Sequence, residues 1–144
     1  MSRHPRTLTT RRAGLKPDTT APDGSEIRFL VGADDLATRA SVVEVTLAPG
    51  HVSRPVRHRT VEEVWYVLAG AGRVWRRPPP GAGFDESTVD VAPGDTLTIP
   101  LGWSFQFSST GNEPLRFVCF TSPPWPGEDE AVPVHTGGLG SPVL

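Results

Sequence analysis

The sequence predicts an all-β domain of the sandwich, jelly-roll or barrel kind, and three observations carry that expectation. Eight short runs are rich in Val, Ile, Phe, Trp and Thr, the residues that suit a half-buried pleated surface. Gly and Pro punctuate the chain between those runs, at a spacing too short for alternating strand and helix units. Outside Ala33 to Arg39, no window holds the 3.6-residue apolar period of an amphipathic helix.

Residues 1–24 carry Ser, Thr, Arg and Pro with little apolar period, so an N-terminal arm is expected there, loosely ordered or laid along a sheet edge. The strands then follow in order: IRFLV from Ile27, SVVEVTL from Ser41, EVWYVL from Glu63, RVWR from Arg73, STVDV from Ser87, DTLTI from Asp95, SFQFSS from Ser104 and LRFVCF from Leu115. Ala33 to Arg39 is the one helical candidate. Turn chemistry separates the runs at Pro49-Gly50, Gly70-Ala71-Gly72, Pro78 to Gly83, Pro93-Gly94, Pro100-Leu101-Gly102 and Gly111-Asn112. The glycines at 70 and 72 join two strands and open no helix, which excludes a phosphate-cradling loop. The barrel is expected over residues 25–122. Residues 123–144 contain PPWPGEDEAVPV, too proline-rich for a central strand, and are expected either to cover the barrel or to trail in solvent.

A chain of 144 residues and 15.5 kDa buries one core. Its hydrophobic share is 37%, and no stretch reaches the roughly 18 apolar residues of a membrane helix. Pro5 and Arg6 interrupt any leader-like start, so a soluble, cytoplasmic protein is expected. Fourteen basic residues against sixteen acidic ones leave a net charge of −2, which gives no global field favouring nucleic acid or an anionic membrane. The expected partner is therefore a small molecule in a local site. Cys119 is the lone cysteine and falls in an alternating run, which suggests a buried structural thiol.

Two segments resemble the paired signature of the cupin superfamily. The first family pattern is Gly, five residues, His-x-His, three or four residues, Glu, six residues, Gly. Here Gly50, His58, Glu63 and Gly70 fall in register, and Val56 occupies the position of the first histidine. The second pattern is Gly, five residues, Pro-x-Gly, two residues, His, three residues, Asn. Gly94, Pro100 and Gly102 match it, while Phe105 replaces the histidine and Ser109 the asparagine. The resemblance implies a single-domain cupin jelly-roll β-barrel with its functional site inside, and a homodimer. Two of the four usual metal ligands are absent, so the fold transfers and the metal enzymology does not.

Alternation in a strand puts Val56 and His58 on one face, Glu63 with Trp65 and Val67, and Phe105 with Phe107. With Glu63 facing inward, as the resemblance implies, Val56, Trp65, Val67, Phe105 and Phe107 form a pocket around His58 and Glu63. The facing of Arg73 and Trp75 is ambiguous, and small barrels also fill their interiors with aromatics simply as core. Arg54, Arg57, Arg59 and Glu62 are expected in solvent.

Two ligands make a weak metal site, so no cofactor is expected; if a divalent metal binds, its ligands are His58 and Glu63. None of His4, His51 and His135 sits at a ligand position. Without a metal, an imidazole beside a carboxylate is an acid–base pair, with Glu63 orienting His58 and raising its basicity so that His58 moves a proton near neutral pH. That suits a metal-independent isomerase, lyase or cyclase. The alternatives are a metal-dependent oxygenase or lyase with an incomplete site, and a non-catalytic ligand-binding module.

Overall fold

The structure, a computed structural model, describes residues 6–144; His4 therefore lies outside the described residues. Among the described residues eleven strands form: β1 (Thr19–Thr20), β2 (Glu26–Val31), β3 (Ser41–Leu47), β4 (Val56–His58), β5 (Glu62–Ala69), β6 (Gly72–Arg77), β7 (Ser87–Val91), β8 (Thr96–Ile99), β9 (Ser104–Ser109), β10 (Leu115–Ser122) and β11 (Ala131–Pro133). All pairings are antiparallel. One sheet has the order β1-β2-β3-β10-β5-β8 and the other β11-β4-β9-β6-β7. The sheets face each other as a jelly roll, and every run expected to be a strand is one.

Burial follows the period of two. On β5, Glu63, Trp65 and Val67 are buried while Val64, Tyr66 and Leu68 face out. The inward residues Val45, Leu47, Val67, Val74, Val91, Ile99, Leu115 and Phe117 close the core between the sheets. The hairpin between β5 and β6 depends on Gly70. Its φ of +79° is left-handed, and a Cβ there would stand 2.4 Å from the Pro114 carbonyl oxygen.

Strand β9 departs from alternation because all six of its residues are buried. Phe105 and Phe107 face the core, and the outer face lies under the C-terminal segment. There the Gln106 amide accepts from Leu139 N (2.8 Å) and donates to the carbonyls of Ser53 (3.0 Å) and Gly140 (2.8 Å). Trp75 lies under the same segment and donates its indole N–H to Glu86 (2.7 Å), while Gly138 packs so closely that a Cβ would meet the Trp75 ring at 2.1 Å. Residues 123–144 thus run against the barrel: β11 pairs with β4, matching Ala131 to His58 and Pro133 to Val56.

The helical candidate at Ala33 to Arg39 is corrected to one 3-10 turn, Ala33–Asp35. The Asp35 carboxylate accepts from Gly32 N (3.0 Å) and binds Arg11 (2.8 Å), and Leu36 turns left-handed with φ 65°, which stops propagation. Before β1, the arm is tied down by Thr9 and Arg11 at Asp35, and by Arg28 donating to the Gly14 and Leu15 carbonyls (2.9 and 2.8 Å). Among the described residues, no helix is long and apolar enough to cross a membrane.

Candidate functional site

A cavity of about 490 Å³ opens at one end of the barrel. Its wall comes from β2, β3, β4, β5, β9 and β10. Its mouth comes from the turn before β2, the 3-10 turn and the segment after β10. His58 and Glu63 stand on that wall, brought together by the tight connection between β4 and β5. The Glu130 carboxylate holds that connection from outside the wall, accepting from Thr60 N (2.6 Å), Val61 N (3.0 Å) and the Thr60 hydroxyl (2.5 Å).

His58 Nδ1 lies 3.5 Å from Glu63 Oε2, and the two side chains are 6% and 9% exposed. That separation falls short of a hydrogen bond, and Nδ1 is the one buried polar side-chain atom among the described residues with no partner. The other carboxylate oxygen, Oε1, accepts the indole N–H of Trp65 at 2.8 Å. Phe105 and Trp125 meet the imidazole in T-shaped arrangements, with centroids 5.1 and 5.0 Å away. Trp65 stacks on Phe117 at 4.0 Å and meets Phe107 edge-on at 5.2 Å, so an aromatic layer floors the cavity.

The electrostatics reverse the expected division of labour. Burial lowers the His58 pKa to about 4, against the opposing charge of Glu130. Burial raises Glu63 to about 7; the nearby Asp23 and Glu130 charges push the same way, and hydrogen bonds from Trp65 and Cys119 pull it down. Between about pH 4 and 7 the carboxyl of Glu63 therefore holds a proton while His58 is neutral, and Glu63 releases its proton near neutrality. The expectation that Glu63 makes His58 more basic is therefore corrected, because desolvation outweighs an attraction made at 3.5 Å without a hydrogen bond.

Val56, Trp65, Phe105 and Phe107 line the cavity as expected from alternation. Val67 does not. It faces inward at 1% exposure, but two residues beyond Trp65 along β5 it lies below the aromatic floor, in the core. Arg73 is exposed and pairs with Asp90 at 3.2 Å, and Trp75 is on the outer face, so neither joins the pocket. Arg54, Arg57, Arg59 and Glu62 are exposed; His135 is exposed, and His51 does not reach the cavity.

Sequence reasoning missed several wall residues. Phe117, Cys119 and Thr121 come from the inward face of β10, a face that alternation alone marks. Cys119 is 3% exposed beside Glu63, and burial, with the Glu63 charge, raises its pKa well above the ordinary thiol value, which keeps it protonated. Trp125 and Asp23 come from loops, where no period points to them. Asp23 Oδ1 accepts from Ser25 N (2.9 Å) and the Ser25 hydroxyl (2.7 Å), an Asx-type turn, and burial raises its pKa.

The donor set does not fit a resident divalent metal. His58 and Glu63 are two donors, whereas catalytic zinc usually takes three protein ligands. Val56 and Phe105, at the other two positions, pair directly across β4 and β9 and offer only hydrocarbon. Among the described residues, no three His, Cys, Asp or Glu side chains gather as a metal site needs.

Comparison with known proteins places these features in a wider set. The model of the family described as Cupin domain matches residues 43–121. An uncharacterized protein of Methanocaldococcus jannaschii is 30% identical over 119 residues, 82% of this chain and 88% of that one. The formate complex of Lactobacillus farciminis oxalate decarboxylase superposes with a TM-score of 0.71 at 19% identity, over 92% of this chain and 40% of that one. Bacillus subtilis oxalate decarboxylase, described for its Mn(II) centres, gives 0.66 at 17% identity over 83% of this chain. The chain spans 30% of the length of that enzyme, and these two likenesses concern the fold.

Proposed function

We propose, from the fact that this chain belongs to the cupin domain family and so is a cupin enzyme or binding protein, that it is an enzyme of the metal-independent kind. Its reaction is a proton transfer on a small molecule, of the isomerase, lyase or cyclase type, carried by Glu63 and His58. The observation that carries this reading is the buried His58–Glu63 pair, 3.5 Å apart on the wall of a 490 Å³ cavity, with an imidazole nitrogen left unpartnered. An acid whose pKa lies near the working pH transfers protons best, and Glu63, at about 7, is such an acid. Neutral His58 supplies an acceptor or a donor beside it, so one group can take a proton while the other delivers one. The aromatic floor and Trp125 keep water away from the exchange. Substrates like the oxalate of the structural relatives fit poorly: Arg11 is the one arginine or lysine on the wall among the described residues, and it is bound to Asp35 at 2.8 Å.

Solvent-deuterium exchange tests the proposal without knowledge of the substrate. A metabolite panel is incubated with the protein in D₂O and followed by NMR. The wild type is expected to label one compound class at carbon, and folded His58→Ala and Glu63→Gln variants are expected to lose that labelling by at least about a hundredfold. Equal labelling by the folded variants, or none by the wild type, removes the acid–base assignment.

A further inference from the structure

The charge lining the cavity is one-sided. Glu63, Asp23, Asp34, Asp35 and Glu128 all contribute to its wall or mouth. Against them stand Arg11, which the Asp35 carboxylate binds, and His58, which burial keeps neutral. Arg54 lies near enough to Asp23 to lower its pKa, but it is not part of the wall. Among the described residues, Glu63 has no cationic partner: His58 of β4, the Trp65 indole of β5, Cys119 of β10, Asp23 of the turn before β2 and Glu130 near β11 surround it. Beside this carboxylate lies the unpartnered, buried Nδ1 of His58, and around both stand the rings of Trp65, Phe105, Phe107, Phe117 and Trp125.

We propose that the molecule bound in this cavity is a small amine with an apolar or aromatic body, its ammonium group placed at Glu63 and Asp23 and its body among the aromatic rings. Carboxylates and rings are the two surfaces that attract an organic cation. Each carboxylate answers its charge, and ring faces add attraction through their quadrupoles, strengthened where water is excluded. An anion of the same shape meets these acidic groups and, among the described residues, no free cation, so it is rejected by repulsion and by desolvation. This inference rests on the proton-transfer reading for its choice of site, and it names the substrate class of that site.

The test compares isosteric probes on the full-length protein, with binding followed by tryptophan fluorescence and by calorimetry. Benzylamine is expected to bind at least about tenfold more tightly than benzoate at pH 8, with benzyl alcohol between them. Because the ammonium must be met by an ionised Glu63, amine affinity is expected to rise about tenfold from pH 6 to pH 8, with release of a proton at the lower pH. Benzyl alcohol shows no such rise, and Glu63→Gln abolishes it for the amine. Asp23→Asn weakens the amine without abolishing the pH dependence, which covers a Glu63 variant that fails to fold. Benzoate binding as tightly as benzylamine, no benzylamine binding at millimolar concentration, or a pH rise that persists in folded Glu63→Gln each overturns the inference. The two proposals fail differently: amine binding without deuterium exchange removes the enzyme reading alone, and exchange on a carboxylate compound removes the amine reading alone.

Discussion

At the scale of single residues, a buried carboxylate without a cation makes a prediction about stability as well as chemistry. The Glu63 pKa is raised in the folded state from an ordinary 4.5 to about 7. Its stabilising contribution is complete below pH 4.5 and is lost as pH rises through 7, because ionisation is then opposed by burial. At 1.36 kcal/mol per pH unit, the loss amounts to roughly 3 kcal/mol above pH 7. Glu63→Gln keeps the shape without the ionisation. Relative to the wild type, the variant is therefore expected to gain most of that amount at pH 8 and little at pH 5, measured as denaturant midpoints at the two pH values. A variant equally destabilised at both would show that the carboxylate is met by a cation in the fold. His58 has the opposite sign: its pKa is lowered to about 4, so its contribution is present above pH 6.5 and is lost as pH falls through 4.

At the scale of elements, the segment from Pro124 to Pro133 forms one side of the site. Trp125 packs against the imidazole in a T-shaped contact, held by its backbone N–H donating to the Ser41 hydroxyl at 3.0 Å. Trp125→Ala is expected to admit water to His58 and to move its pKa from about 4 upward toward 6.5, read from the imidazole carbon-bound protons by NMR. An unmoved pKa would mean that burial of His58 is the work of the barrel alone. This element also marks the limit of what the sequence discloses. The strands from Ser41 to Ser122, and the facing of His58, Glu63, Trp65 and Phe105, were legible because a half-buried strand writes its facing into a period of two. Val67 carried the correct facing and the wrong depth, since alternation fixes a side and leaves position along the barrel open. Trp125 and Asp23 were illegible because loops have no period, and Trp75 because the C-terminal segment buries it on an outer face of β6 that leaves Arg73 exposed. The direction of proton affinity was also hidden: spacing reveals that an imidazole meets a carboxylate, whereas the degree of desolvation decides which of them holds the proton.

At the scale of the whole molecule, fold and metal chemistry separate. The glycines and prolines that shape the turns are kept, and the barrel closes with two hydrocarbon side chains where the resemblance places metal ligands. Native mass spectrometry of protein purified without a histidine tag from metal-replete cells reads the consequence. The expected mass is a multiple of the 15.5 kDa chain, twice for the proposed homodimer, with under about 0.1 equivalent of Mn, Fe or Zn per chain. Stoichiometric metal would return the site to the metal-dependent reading.

The hold of Glu130 on Thr60 and Val61 joins positions about seventy residues apart. Contacts of such separation close late, because the intervening chain must first give up its freedom. During synthesis, β4 acquires its outer neighbour β11 only after the remaining strands have left the ribosome. Until then the aromatic chamber stands open beside a strand edge with no partner. Docking of the C-terminal segment thus also dries the site, and a chain in which it is undocked carries His58 and Glu63 without the environment that sets their proton affinities.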